Sequence, residues 1–509
     1  MKKISLTEDH LRKRMKRHTF SLRYDIFGSF IHQTISQDDY FEYCMEFPDE
    51  ASKIIIDGMY SGDWFSVYKS EILPERHNAF LDRLRAGGTD IIARHIEALR
   101  KRGKECWLTH RISEVDIDLE ENPHTFKDQH PDWFIPAFGR LMNNMEIREL
   151  REHKLRILGE LIRKYDIDGL DIDFERHTPI LTPGKQWELR ECVTDFMRKL
   201  RRLTLEVAEE KGTVIMLSAR VPDCLSGCHE DGLDIESWIN EELIDGVTLG
   251  SRSFDIHAEE FRALSRDIAI YGCYDAHHTV DGYTFPKLEL IHGVWHSHIA
   301  RGADGVEYFN WSGEGKSEIN EKYIESYKLD PIRDGFVKYA NDDFHGANSK
   351  EYLASVDKIY PTERRGGYPW GIGYGNLNAH SPLPMTITDR AEIKLYVSDT
   401  IADYSCAELS LLFGELTVEA EIYLGDKRLE YTASAAKDTQ VTERDEAPIS
   451  GYGVTKRLLS GIDESYPCTM LRCDITGMPG GKEYVTVTVK TDSEIKLEKL
   501  EISLKNKKQ

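Results

Sequence analysis

The chain has 509 residues, 40% of them hydrophobic and 30% charged, with a formal net charge of −23. That length exceeds one ordinary core and points to two or three domains, with enough apolar surface to bury them. The acidity excludes nucleic acid or an anionic membrane as the main partner, because both are drawn to positive fields.

The N-terminal run MKKISLTEDHLRKRMKRH is basic, yet no apolar stretch of roughly 7–15 residues follows it, so no secretory signal is expected. No segment approaches the ~20 apolar residues that span a bilayer. Nine cysteines, an odd number, are scattered along the chain. Cys224-x₃-Cys228 and Cys468-x₄-Cys473 lack matching ligand pairs, so the thiols are read as structural or incidental, with no metal site and no cofactor expected. A reducing cytoplasm is the expected compartment.

In chain order, apolar strands are predicted at 22–27, 53–58, 105–111, 167–175, 213–221, 244–250, 268–275 and 303–311. Amphipathic helices separate them. Residues 90–102 place Ile92, Ile96 and Leu99 on one face, with Gly103 as the stop. Residues 146–164 carry Ile147, Leu155, Leu158 and Ile162 at near-helical spacing and lead straight into the fourth strand. Repeated strand–helix alternation implies parallel strands joined by helical crossovers. Eight units in about 300 residues suit a closed (β/α)₈ TIM barrel over residues 1–345.

After about residue 345 the pattern changes. A stretch rich in glycine and proline leads into period-two segments at 391–398, 407–413, 416–424, 469–475, 483–490 and 495–503. Residues 346–384 are read as a linker and 385–509 as a C-terminal antiparallel β-sandwich. Packing against the barrel, sugar binding and contact between copies in a homo-oligomer are all open roles for it.

In a parallel barrel the functional groups sit at the carboxyl ends of the strands. The fourth strand is the informative one: Ile167-Asp168-Gly169-Leu170-Asp171-Ile172-Asp173-Phe174-Glu175-Arg176-His177. Alternation places Asp171, Asp173 and Glu175 on one face and Leu170, Ile172 and Phe174 on the other. The apolar face is expected against the helices and the acidic face inside the barrel mouth. Acids repeating every ~6.5–7 Å along a strand repel one another, so at least one is expected to stay protonated near neutrality. A protonated carboxyl beside an ionised one is what glycoside cleavage requires.

The run from Asp168 to Glu175 resembles the strand-four signature D-G-x-D-x-D-x-E of glycoside hydrolase family 18, the chitinase-like barrels. That resemblance implies Glu175 as general acid and Asp173 as its partner. Where the family carries Met-x-Tyr-Asp near strand six, this chain has Val247-Thr248-Leu249-Gly250. A second resemblance covers more of the barrel. His110-Arg111, the HPDW segment from His130 to Trp133, YDIDGLDIDFERH and GADGVEYFNW are together similar to uncharacterised bacterial glycosidase-like barrels. It implies a site built on Asp171, Asp173, Arg176 and His177, and favours Asp173 over Glu175.

Other strand ends supply candidates for binding. Arg111 is suited to orient a carboxylate or sugar hydroxyl through its forked donors, or else to pair with a strand-four acid. Arg220 faces the mouth with Ser218, either to receive a substrate carboxylate or sulfate or to neutralise the acids. Asp275 and His277 close strand seven, and Trp311 closes strand eight, where it either stacks on a sugar ring or packs. Glu307 is expected deep and structural, and the facing of Asp25 is open. The expected function is a glycoside hydrolase working on an oligosaccharide or small glycoside through Asp173, Glu175 and Asp171. A glycan lyase and a non-catalytic carbohydrate-binding barrel are the alternatives. No Gly-x-Ser-x-Gly elbow or phosphate-cradling loop points elsewhere.

Overall fold

The computed structural model describes residues 4–25, 36–45, 47, 49–57, 60–61, 65–113, 126–137, 140–250, 255–274, 288–311, 349–353, 383, 385–436 and 468–508. Eight parallel strands close on themselves in chain order: Phe20–Asp25, Lys53–Asp57, Glu105–Arg111, Gly169–Asp173, Met216–Val221, Gly246–Leu249, Ala269–Tyr274 and Gly305–Trp311. They are called strands one to eight below. All eight predicted strands are present, and the barrel is the expected one.

Local chemistry accounts for the pieces. The helix Ile91–Lys101 is capped by the Asp90 side chain, which accepts from the N–H of Ala93, and it buries Ile91, Ile92, Ile96 and Leu99. It ends where Gly103 takes a φ of +68°, a backbone that suits glycine. The helix Arg148–Lys164 buries Leu150, Ile157, Leu158, Leu161 and Ile162. On strand four, Leu170 and Ile172 join the apolar layer beneath the helices, as does Phe174 just beyond it. Asp171 and Asp173 therefore point inside.

The floor of the barrel has an order of its own. Strands four, six and eight each begin with Asp-Gly, at 168–169, 245–246 and 304–305. Each of these aspartates accepts the backbone N–H of the preceding strand: Cys106 onto Asp168 at 3.0 Å, Leu217 onto Asp245 at 2.8 Å, Ile270 onto Asp304 at 2.9 Å. The glycines admit close neighbours. A Cβ on Gly169 would lie 2.5 Å from the Trp107 ring, and one on Gly305 would lie 2.0 Å from the His18 carbonyl. The basic N-terminal segment crosses beneath. His10 reaches Asp245 at 2.9 Å, Lys13 reaches Asp168 at 2.9 Å, and Arg17 reaches Asp304 at 3.2 Å.

The tail forms two antiparallel sheets. One contains Tyr404–Phe413, Cys468–Asp474, Thr432–Ala436 and Ile495–Lys507, and the other Arg390–Val397, Glu483–Lys490, Glu421–Leu424 and Lys427–Leu429. Ser349–Leu353, inside the stretch read as a linker, pairs with Ile495–Lys507 as a strand of the larger sheet. The predicted strand 416–424 is observed as Glu421–Leu424.

The sandwich docks on the barrel through the helix Leu288–Ala300. Backbone meets backbone there, since a Cβ on Gly293 would fall 1.8 Å from the carbonyl oxygen of Glu351. Beside that contact, Asp399 accepts from Lys350 at 2.7 Å and from the Tyr352 hydroxyl at 2.5 Å, with His296 of the helix at 3.2 Å. Packing against the barrel is thus one role of this domain. All nine cysteines are free. Among the described residues no helix is long and apolar enough to cross a membrane.

Candidate active site

The barrel interior is filled in layers. Lowest lies Lys53, its ammonium 4.1 Å from the Trp107 ring centroid and 4.8 Å from that of Tyr271. Beside it Ile55, Trp107 and Met216 make a small apolar cluster. This plug closes the floor and leaves the polar groups above it.

The middle layer is built around Arg23 of strand one, which is fully buried. Its Nε donates to Glu307 at 3.0 Å, Nη1 to the Thr109 hydroxyl at 2.7 Å, and Nη2 to Asp171 at 2.7 Å. Asp171 also accepts from Ser218 at 2.6 Å and Thr109 at 3.1 Å. Glu307 accepts from Thr248 at 3.2 Å as well. Burial alone would raise the Asp171 carboxyl, but attraction to Arg23 and Lys53 and the Ser218 hydrogen bond hold it below the usual carboxylate range. Asp171 and Glu307 are committed to this network.

The upper layer holds the candidate residues at the strand ends. Asp173 sits at the end of strand four, beside Arg111 of strand three and Arg220 of strand five in register. One oxygen receives Arg220 Nη2 at 2.5 Å. The other receives the backbone N–H groups of Glu175 at 3.0 Å and Arg176 at 3.2 Å. Burial opposes its charge, yet Arg220 and Arg23 outweigh burial and keep this carboxyl well below its ordinary value. Glu175, two residues on, is driven the other way. Its carboxyl is pushed up to about 8, first by burial and then by the negative charges of Asp231, Asp223 and Asp173, with Arg220 pulling against them.

The remaining candidates surround that pair. Arg111 donates to Asp57 of strand two, at 3.0 Å through Nη2, and its charge also favours ionised Asp173. Arg176 is buried, its guanidinium 5.9 Å from the Phe309 ring centroid. His177 is held at a positive φ of 63° with Nδ1 3.1 Å from the Ser113 carbonyl oxygen, so that nitrogen carries the proton. Trp311 is only 3% exposed and meets Tyr308 edge-on at 5.4 Å, within the main apolar core. Asp275 and His277 lie outside the described residues.

Three residues of the interior escaped the sequence reading. Arg23 lies inside the predicted first strand, but the facing of that strand was open, and only its partners reveal that it points inward. Asp57 ends strand two next to a short hydrophobic run whose facing the pattern leaves open. Phe309 looks like core in sequence, but its ring lies inside the barrel with Arg220, Arg23 and Arg176 at 4.3, 5.7 and 5.9 Å.

Comparison with known families finds no match, and no curated protein matches either. Among solved structures, α-L-fucosidase isoenzyme 2 from Paenibacillus thiaminolyticus is 12% identical, with a TM-score of 0.40 over 67% of this chain and 52% of that one. A maltogenic α-amylase from Thermotoga neapolitana is 8% identical, with a TM-score of 0.37 over 92% of this chain and 99% of its own. An Anoxybacillus α-amylase is 10% identical at a TM-score of 0.38, over 98% and 99% of the two chains.

Proposed function

We propose that this chain is a glycoside hydrolase in which Glu175 is the general acid and Asp173 the ionised partner. One observation carries the reading. Two carboxyls two residues apart have environments that separate their protonation, with Glu175 raised to about 8 and Asp173 well below its ordinary value. That division is the one acid-assisted glycoside cleavage needs. Glu175 would hand its proton to the leaving oxygen, and Asp173 would face the positive charge that develops on the sugar ring. Both Asp173 oxygens are already held, by Arg220 and two backbone amides. Such a carboxylate works as a fixed charge, needing no reorganisation as the barrier is crossed. Asp171, tied to Arg23, Thr109 and Ser218, supports this layer from below.

The test is a panel of aryl glycosides and natural oligosaccharides assayed with the wild type, Glu175→Gln and Asp173→Asn. Glu175→Gln is expected to lower kcat by roughly 10²–10⁴-fold, and wild-type activity should fall as the pH rises through about 8. Wild-type turnover in both variants would sink the assignment.

A further inference from the structure

Arg220 has more hydrogen-bonding capacity than its surroundings use. Its side chain is fully buried, Nη2 donates to Asp173, and the guanidinium carbon lies 4.3 Å from the Phe309 ring centroid. Among the described residues, neither Nε nor Nη1 has a hydrogen-bond partner. A guanidinium is a planar fork of donors, and buried donors left unused are costly unless something arrives to take them. Asp173 does not need them, because two backbone amides already satisfy its second oxygen.

Charge around Phe309 points to what would arrive. The ring is approached by three guanidinium groups, those of Arg220, Arg23 and Arg176. Arg23 is spent on Asp171 and Glu307 one layer down. Arg220, in the upper layer, is bonded to Asp173, and burial raises the neighbouring Glu175 carboxyl. Asp223 and Asp231 bear on Glu175 through their negative charge. We propose that the open donors of Arg220 receive a carboxylate of the substrate, so that the sugar bound in this mouth is a uronic acid. The inference rests on the glycosidase reading and names its substrate class. A forked guanidinium suits a planar carboxylate better than a lone hydroxyl.

Calorimetric titration of the whole protein at pH 6 with D-glucuronate and D-galacturonate, beside D-glucose and D-galactose, tests this directly. Each uronate is expected to bind on the order of ten-fold tighter than its neutral counterpart, with the margin shrinking as sodium chloride is added. Arg220→Lys and Arg220→Gln should erase the margin in protein that still melts cooperatively. Equal affinity for neutral and acidic sugars, no binding of any of the four, or a margin untouched by both variants would overturn the proposal. The two readings fail separately. Neutral glycosides hydrolysed in a Glu175-dependent way, without uronate preference, would overturn only the substrate class. Uronate preference kept in Glu175→Gln, with no hydrolysis by the wild type, would overturn only the hydrolase.

Discussion

The floor and the mouth of this barrel are both lined with acids, and they use them differently. On the floor, Asp168, Asp245 and Asp304 each meet a base from the N-terminal segment and a backbone amide from the preceding strand. Each acid has its own donors and fastens one strand to its neighbour. At the mouth, Asp173 and Glu175 lie two residues apart, and the guanidinium charges act mainly on Asp173. Arg220 binds Asp173 directly and only attracts Glu175 from a distance. Burial and neighbouring negative charge raise the Glu175 carboxyl while Arg220, Arg23 and Arg111 lower that of Asp173, and two nearby acids pushed apart in this way mark a candidate functional site.

The largest structural effect is expected on the floor. Asp245 is buried, takes both terminal nitrogens of Arg201 at 2.7 and 2.8 Å, and accepts from the Leu217 amide. Asp245→Ala would leave the fully buried Arg201 without its carboxylate. Removing one partner of a buried pair costs roughly 3–5 kcal/mol, which denaturant unfolding would report as a clear drop in midpoint. An unchanged midpoint would break the comparison, because the floor acids would then hold nothing.

How much of this could be read beforehand differs between the two ends. Asp173 was legible because strand alternation turns it inward with Asp171, whereas Glu175 lies beyond the strand end, in a turn where its amide bonds Asp173. Which of them keeps its proton was not legible, since that depends on Arg220, Asp223 and Asp231, which come from elsewhere in the chain. The floor offered a plain signal, the same Asp-Gly opening strands four, six and eight, but its meaning needs the neighbouring strand's amide in view. The basic N-terminus had no visible partners in sequence, being separated from Asp168 by 155 residues. The eight-strand barrel was readable for the reason its site was not: periodicity is local, and charge pairing is not.

Glu175 should show a smaller effect with the opposite sign. Its carboxyl is raised from 4.5 to about 8 in the folded protein, so the unfolded chain gives up this proton first as the pH rises. Folding stability attached to this group is complete below about 4.5 and is lost progressively towards pH 8. Glu175→Gln removes the titration, and the gain over wild type should grow steadily across that window. Thermal melts at pH 5 and pH 8 read this difference without any substrate. A gap that stays constant with pH would mean the mouth acid is as well neutralised as those on the floor.

The smallest effect sharpens the comparison from the floor side. Lys13 bonds Asp168 at 2.9 Å and reaches the carbonyl oxygens of Asp168 at 3.3 Å and Val214 at 3.2 Å, yet the two charged side chains are 22% and 29% exposed. Water already shares that pair, so Lys13→Ala should cost only ~0–1 kcal/mol, and less as salt is added. Asp168 would keep its hold on the Cys106 amide, which is the contact that fastens strand four to strand three. A loss near that expected for Asp245→Ala would mean that the N-terminal segment, and not the aspartate–amide bond, secures this part of the floor.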